Sequence, residues 1–177
     1  MNRSFAQSLR LPVALAAAAT LAACGGTVDF DISESFNVNA TGTSWSGVQP
    51  VDLAADAPSA WKQRKHIDSI EVVSASATIT AEATGNAANF GDGSAAFRPD
   101  GATDASQDVQ VGTWTHLPIA VGSTIALTPS AQLDAFLTSV LKGSGKFSVV
   151  ASGSDDASPA IFTVQVHLAC KLNWKPF

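Results

Sequence analysis

The last long segment of the chain alternates apolar and polar residues with great regularity. One set of positions between residues 162 and 174 holds Phe162, Val164, Val166, Leu168, Cys170, Leu172 and Trp174. The residues between them are mostly polar. Successive side chains of a β-strand point to opposite faces of its sheet, so this pattern predicts a strand with one buried face. A wholly apolar face needs a second layer to cover it, which makes layered β-structure the expected architecture and places the Cys170 side chain in the core.

Weaker alternation predicts the other strands. They are expected at residues 28–33, 67–83, 95–98, 109–114 and 147–153, with a further extended segment at 118–127. In the 67–83 strand the apolar parity changes after Val72, which predicts a β-bulge at Val72–Val73. Residues 40–50 are rich in Thr, Ser and Gly and end in Gln49-Pro50, so we expect a loop there.

Capping residues predict two helices. One is expected to have Asp56 as N-cap, Pro58 in its first turn and an end at Lys65. The clearer one has Thr128 as N-cap and Pro129 in the first turn, runs to Lys142 and stops at Gly143, with apolar residues at helical spacing. The predicted fold class is therefore mainly β, an antiparallel β-sandwich of immunoglobulin-like or jelly-roll-like form with one or two short helices.

The first 23 residues have the layout of a signal peptide. Arg3 and Arg10 flank a polar start, and residues 11–23 form an apolar run too short to cross a hydrocarbon core about 30 Å thick. The run ends in Leu21-Ala22-Ala23-Cys24-Gly25. Small residues that lead directly into a cysteine resemble the lipobox of bacterial lipoproteins. An ordinary secretory signal, with Cys24 as a plain thiol, is the alternative.

The resemblance implies that the Cys24 thiol carries diacylglycerol, that the chain is cut before it, and that the new amino group is acylated. In that family an aspartate after the cysteine favours the inner membrane, so Gly25 favours the outer membrane. The expected organisation is a lipoprotein signal peptide at 1–23, a lipidated N-terminus and short tether at 24–27, and a single β-sandwich domain at 28–177. We recognise no domain family in residues 28–177.

Charge and cysteine content exclude two further features. A net charge of −5 and a pI near 4.9 argue against a nucleic-acid surface, which needs clustered Lys and Arg. Removal of residues 1–23 takes away Arg3 and Arg10 but no acidic residue, so ten basic residues become eight against 15 acidic ones and the net charge becomes −7. With Cys24 lipidated, Cys170 would have no partner for an internal disulfide.

Motifs for catalysis and metal binding are incomplete. Ser44 is followed by Trp45 and Ser46, so the second glycine of a G-x-S-x-G turn is missing. The possible metal ligands have no recognised ligand spacing; they are His66, His116, His167, Asp100, Asp104 and Asp108. Asp155 and Asp156 are interpreted as turn residues. We therefore predict no enzymatic activity, no cofactor and no metal site.

One short segment concentrates positive charge in an otherwise acidic chain. It contains the candidate binding residues Trp61, Lys62, Arg64 and Lys65. They could contact anionic lipid headgroups, lipopolysaccharide phosphate or an acidic partner. They could equally be structural, because cations in the last turn of a helix complement its dipole and Trp61 could pack inward.

The expected function is that of a membrane-anchored bacterial lipoprotein with a non-enzymatic binding or structural sandwich in the cell envelope. Its partners would be the membrane, through Cys24, and an envelope protein, glycan or lipid. One alternative is a carrier of an apolar ligand such as a lipid, because small residues such as Ala75, Ala77 and Ala81 can leave a cavity. A second alternative is a hydrolase whose Ser, His and Asp are brought together by the fold.

Overall fold

The chain forms eight β-strands and three α-helices within residues 25–175, the part that the computed structural model describes. The strands are β1 (Gly26–Ala40), β2 (Ser44–Asp52), β3 (Ile67–Glu82), β4 (Phe90–Pro99), β5 (Val109–Pro118), β6 (Thr124–Leu127), β7 (Lys146–Asp155) and β8 (Ala160–Trp174). The helices are α1 (Leu53–Asp56), α2 (Pro58–Lys62) and α3 (Ala131–Lys142), and a 3-10 turn covers Ala105–Gln107. The predicted signal peptide and Cys24 lie outside the described residues.

The strands form two antiparallel sheets of four strands each. One sheet has the order β1-β8-β3-β6 and the other the order β2-β7-β4-β5. The first strand therefore pairs with the last, the second with the seventh, the third with the sixth and the fourth with the fifth. This nested pairing is the jelly-roll form of the β-sandwich. The predicted mainly β sandwich is confirmed, and of the two forms expected the jelly roll is the one present.

β8 is the strand that the C-terminal alternation predicted. It lies between β1 and β3, and its register with β1 runs unbroken from the Gly26–Trp174 pair to the Ala40–Ala160 pair. Its inward residues are buried up to Leu172, and Cys170 is only 2% exposed. The prediction that Cys170 points into the core is confirmed.

β3 changes its inward parity where the sequence indicated. Its register with β8 shifts between Val72 and Ser74, which leaves Val73 outside the core and 57% exposed. Val72 before the shift and Ala75 after it both face the core. The predicted β-bulge at Val72–Val73 is confirmed.

β2 is the main error of the sequence analysis. Residues 44–52 form a strand, so the predicted loop at 40–50 is reduced to the turn at 41–43. β2 lies at the edge of its sheet, with β7 as its only sheet neighbour. An edge strand tolerates a proline such as Pro50, because one of its sides has no neighbouring strand that needs an N–H donor. The Ser and Gly content of β2 resembles that of a loop.

The long helix starts later than predicted. Ser130, not Thr128, is its N-cap, and the Ser130 hydroxyl accepts a hydrogen bond from Leu133 N at 3.2 Å. α3 ends at Lys142 and is followed by Gly143, as predicted.

The first helical segment is broken in two. Asp52, not Asp56, caps α1, and α2 begins at Pro58 but ends at Lys62 rather than Lys65. The described residues thus hold three α-helices where one or two were expected. None of the helices within residues 25–175 is both long and apolar enough to cross a membrane.

Side chains of α3 complete the edge of β3. β6 pairs with β3 only from Ala75 onward, so the preceding part of β3 has β8 on one side but no strand on the other. The Asp134 carboxylate accepts a hydrogen bond from Val72 N at 2.8 Å, and the Thr138 hydroxyl accepts one from Ile70 N at 2.9 Å. The helix thereby satisfies strand N–H groups that would otherwise be orphaned, and it covers an exposed edge.

Two tryptophans cover a pair of glycines in the β2-β7-β4-β5 sheet. Gly93 and Gly153 are register partners, and Trp114 and Trp45 flank them on the outer strands. A Cβ on either glycine would overlap the neighbouring indole ring. The two rings stack with centroids 6.5 Å apart, and Trp45 meets Phe162 of the other sheet edge-on. The glycines thus make room for the rings that fill this part of the core.

Candidate functional site

The two ends of the sandwich differ in their chemistry. At one end, called the Gly26 end, Gly26 pairs with Trp174 and β3 begins opposite Trp174 at Ile67. At the other, called the Asp155 end, the turn at 41–43 meets the end of β7, where Asp155 N donates a hydrogen bond to Thr43 O at 2.8 Å. Each end gathers side chains from several separate parts of the chain.

At the Gly26 end, the first described residue lies among charged groups. Gly25 packs against the backbone and side chain of Lys175. Lys175 N donates a hydrogen bond to His66 O at 2.9 Å, and Lys175 Nζ lies 2.7 Å from Asp68 Oδ2. The predicted lipidation site, Cys24, precedes Gly25 directly in the sequence.

The predicted basic cluster lies at the same end. Lys62, the last residue of α2, and Lys65 are exposed, whereas Trp61 is half-buried and packs against Gly145 and the core. The Arg64 guanidinium lies 4.4 Å from the centre of the Trp61 ring and donates a hydrogen bond to Trp61 O. The inward packing of Trp61 agrees with the structural interpretation, while the exposed lysines leave the binding interpretation open to test.

Two further lysines join this cluster from distant parts of the chain. Lys142, at the end of α3, points its Nζ to within 3.4 Å of Asp68 O, and Lys175 pairs with the Asp68 carboxylate. Sequence reasoning missed both. No local signal could have found them, because only the packing of α3 on β3 and the pairing of β8 with β3 bring them together.

Positive charge is confined to one half of the molecule. Every Lys and Arg of residues 25–175 lies in the half remote from the Asp155 end; they are Lys62, Arg64, Lys65, Arg98, Lys142, Lys146, Lys171 and Lys175. The Asp155 end holds Glu82, Asp92, Asp155 and Asp156 instead. Among the described residues, the lysines and arginines thus share their half of the molecule with most of the acidic residues, whereas the Asp155 end carries acidic residues but no Lys or Arg.

Asp155 is the one buried charged residue of the described chain. It is 8% exposed, and neither carboxylate oxygen has a hydrogen-bond partner among the described residues. Burial raises the pKa of its carboxyl group from 3.8 to about 6; nearby Trp45 lowers it and Asp156 adds to the rise. The Trp45 Nε1 is close enough for that effect, but its geometry falls short of a hydrogen bond.

The interpretation of Asp155 as a turn residue is wrong, since it is the last residue of β7. The sequence does contain a pattern that indicates the burial of Asp155. Phe147, Val149, Ala151 and Gly153 share its parity, so continuing the alternation by one step would have placed Asp155 inside.

Beside Asp155 lies a small cleft of about 160 Å³, lined by Phe90, Asp92, His116, Ser154, Asp155 and Asp156. The His116 ring stacks on Phe90 with centroids 3.9 Å apart. Its backbone adopts a φ of 53°, an uncommon value for a residue other than glycine, and its N–H donates to the Asp92 carboxylate at 2.6 Å. Asp92 thus stabilises a turn that presents the stacked rings at the rim of the cleft.

The described residues hold no group of three His, Cys, Asp or Glu side chains arranged to bind a metal ion. The acidic loop residues have other contacts. Asp104 caps the 3-10 turn by accepting from Ser106 N at 2.8 Å, and Asp108 forms a two-bond salt bridge with Arg98. Both side chains are therefore explained by local structure.

One histidine has the neighbours of a hydrolytic site but not its geometry. His167 Nε2 lies 3.4 Å from an Asp31 oxygen on the outer face of the β1-β8-β3-β6 sheet, and Ser33 and Ser76 are its register neighbours. In the described part of the chain, no hydrogen bond joins either serine hydroxyl to His167. The group lies on a sheet face.

The small residues of β3 occupy two different environments. Ala75 and Ala77 are buried in the core. Ala81 is exposed and borders an open cleft of about 260 Å³ at the strand ends.

Comparison with known proteins gives a fold likeness only. No family model and no curated protein matches the chain. Among solved structures, it is similar to Desmodium yellow mottle tymovirus at 13% identity and a TM-score of 0.39, covering 100% of this chain and 92% of that one. It is also similar to the decameric BFDV capsid protein at 11% identity and a TM-score of 0.44, covering 84% and 99%. Neither likeness bears on function, and the jelly-roll assignment stands on the strand pairing.

Proposed function

We propose that the chain is a lipid-anchored protein of the bacterial envelope, directed to the outer membrane, with a non-enzymatic jelly-roll domain that binds or supports an envelope component. The observation that carries the proposal is the position of the fold in the chain. All eight strands lie within residues 26–174, and each has its jelly-roll partner there. A cut before Cys24, as the lipobox resemblance implies, would remove none of them.

Anchoring through Cys24 is physically sufficient to hold such a domain at a membrane. Each buried methylene contributes about 0.8 kcal/mol, and two or more acyl chains give stable attachment where one gives only marginal binding. Because β1 begins at Gly26, the anchor would be separated from the sandwich by a single residue. The domain would therefore be held close to the membrane surface.

A binding or structural task is favoured over catalysis by what the described residues bring together. His116 stacks on Phe90, and His167 lies beside Asp31 on a sheet face with no serine hydroxyl hydrogen-bonded to it among the described residues. The Asp155 end lies opposite the proposed anchor, which would leave its cleft accessible to a partner. A serine-directed fluorophosphonate probe is expected not to label the native protein; labelling that is lost in a His167→Asn variant would contradict the non-enzymatic assignment.

The anchor is tested by intact mass spectrometry of the detergent-extracted protein, together with fractionation of a Cys24→Ala variant. We expect a chain that begins at Cys24, carries diacylglycerol and an amide-linked acyl group, and is found with the outer membrane. The variant should leave the membrane fraction. Cys170→Ala is the matched control, because it removes the other cysteine of the chain and should leave the mass increment and location unchanged. An unacylated mature chain free in the periplasm would overturn the proposal.

A further inference from the structure

The Gly26 end combines cations from three separate parts of the chain. Lys62, Arg64 and Lys65 come from α2 and the turn after it, Lys142 from the end of α3, and Lys175 from the residue after β8. The contacts of Asp68 with Lys142 and Lys175, and that of Lys175 with the segment before β3, hold the three parts together. The cluster is therefore a property of the folded domain.

Some cations of this surface have a carboxylate beside them, and others have none. The Asp68 carboxylate pairs with Lys175, whereas Lys142 contacts only the backbone carbonyl oxygen of Asp68. Asp52 lies 3.7 Å from Lys146, and the Asp56 carboxylate accepts a hydrogen bond from Asp52 N. Lys62 and Lys65 are exposed and have no ion pair among the described residues. Lys62 and Lys65 thus present positive charge that no carboxylate of the described residues pairs with.

The position of this surface identifies what it would meet. Gly25 packs against Lys175, and Cys24 is the next residue toward the N-terminus. One residue spans at most about 3.6 Å, so acyl chains on Cys24 would enter the bilayer within a few ångströms of Lys175. The lipid headgroups are then the first surface that the cluster encounters. The half-buried indoles of Trp61 and Trp174 at the same end are side chains that favour the membrane interface.

We propose that the lysines of the Gly26 end, with Lys62 and Lys65 foremost, dock the domain onto anionic lipid headgroups of the membrane that holds its anchor. This inference rests on the proposed lipid anchor. Docking fixes the orientation of the sandwich and directs the Asp155 end away from the bilayer. The acidic residues of that end are repelled by the same headgroups, which favours the same orientation.

The test uses the lipidated full-length protein reconstituted into vesicles. One set contains phosphatidylcholine alone, and the other contains three parts phosphatidylcholine to one part phosphatidylglycerol, with acyl-brominated lipids in both. Bromine quenches tryptophan fluorescence at short range. Trp61 and Trp174 lie at the Gly26 end, whereas Trp45 and Trp114 lie in the other half, so quenching reports which end faces the bilayer. We expect quenching to be about twofold stronger in the anionic vesicles and to lose this excess at 1 M salt, where the Debye length is about 3 Å.

A Lys62→Gln/Lys65→Gln variant should quench equally in both kinds of vesicle. Its matched control is Asn39→Asp/Thr80→Glu, which makes the same change in net charge at exposed positions near the Asp155 end and should retain the excess. Equal quenching of the wild type in both vesicles, or equal losses in the two variants, would overturn the docking proposal. Mass spectrometry of the same sample separates the two proposals, because a missing acyl group contradicts the anchor and an acylated protein without charge-dependent quenching contradicts only the docking.

Discussion

Two adjacent aspartates at the end of β7 have opposite electrostatic environments. Asp155 is buried without a hydrogen-bond partner among the described residues, and burial raises the pKa of its carboxyl group to about 6. Asp156 is exposed and accepts hydrogen bonds from Asn89 N at 2.8 Å and Phe90 N at 3.2 Å, which lowers its pKa. The first carboxylate therefore costs stability when it is ionised, and the second contributes stability when it is ionised.

We expect Asp155→Asn to stabilise the protein at pH 8. The pKa in the folded state, about 6, exceeds the ordinary value of 3.8, so the wild type loses stability as pH rises from about 4 to about 6 and stays lower above that range. The full penalty corresponds to about 3 kcal/mol. Because a buried amide also lacks partners, a gain of about 1–2 kcal/mol is expected at pH 8, shrinking to nothing near pH 4. Urea unfolding at both pH values measures it.

Asp156→Asn is the comparison for that experiment. Its folded-state pKa is depressed, so the wild-type carboxylate stabilises the protein above the unfolded pKa and this contribution is lost as pH falls. The substitution should lower stability at pH 8 and have little effect in acid. Destabilisation by Asp155→Asn at pH 8 would show that its carboxylate is stabilised by contacts with solvent or ligand.

Cys170 is expected to be inert in the native protein. Its thiol is buried, and burial, with contributions from Asp31 and Asp134, raises its pKa to about 12. Thiolate is the reactive form, so a thiol-specific disulfide reagent should find no reactive Cys170 until the chain unfolds. If Cys24 is lipidated, thiol titration should give zero groups in the native protein and one after denaturation. Two groups after denaturation would argue against lipidation.

At the scale of elements, α3 acts as a substitute strand for β3. Asp134 and Thr138 accept the Val72 and Ile70 amide hydrogens where β6 does not reach. Asp134→Ala should destabilise the protein by about 1–3 kcal/mol, because it leaves a strand N–H unsatisfied beside the core. Thr138→Val removes the other acceptor and should cost a similar amount. Gln132→Ala, at an exposed position of the same helix, is the control and should change urea unfolding little.

How well each element could be predicted depends on how much of it is buried. β8 has a strand on each side and a fully apolar inner face, so its alternation is almost free of exceptions. β2 has one neighbouring strand, and only Val51 of its residues is fully buried. Its alternation of apolar and polar residues is therefore weak, and Gly47 and Pro50 made the segment resemble a loop. The helix caps were misplaced by two to four residues because several Ser, Thr and Asp residues compete for each cap.

Only part of the lysine cluster at the Gly26 end could be predicted from the sequence. Lys62 and Lys65 lie close together in sequence and could be found, whereas Lys142 and Lys175 reach the same surface through contacts that the complete fold creates. The burial of Asp155 agrees with the alternation of inward residues along β7, but the neighbouring residues are typical of a turn and led to the wrong interpretation.

For the whole molecule, the pairing of β1 with β8 joins the two ends of the described chain over their full length. Loss of β8 removes the only sheet neighbour of β1 and one of the two neighbours of β3, and so disrupts the β1-β8-β3-β6 sheet. A chain of residues 25–159 should therefore fail to fold, whereas residues 25–177 expressed without the first 24 should give the same far-UV circular dichroism and cooperative unfolding as the full mature protein. A cooperative transition in the shorter chain would show that β8 is dispensable.

Because β1 pairs with β8, the fold cannot be completed until β8 has been synthesised. β1 leaves the ribosome first and its partner last, so β1 must wait on the order of ten seconds at ordinary rates of synthesis. An unpaired strand with a bare apolar face invites aggregation during that delay. Asp29 and Asp31 alternate with the apolar residues of β1, and their charges disfavour aggregation of that strand. A chain that cannot complete its fold until β8 is made stays unfolded during synthesis, and an unfolded chain is what export through a narrow channel requires.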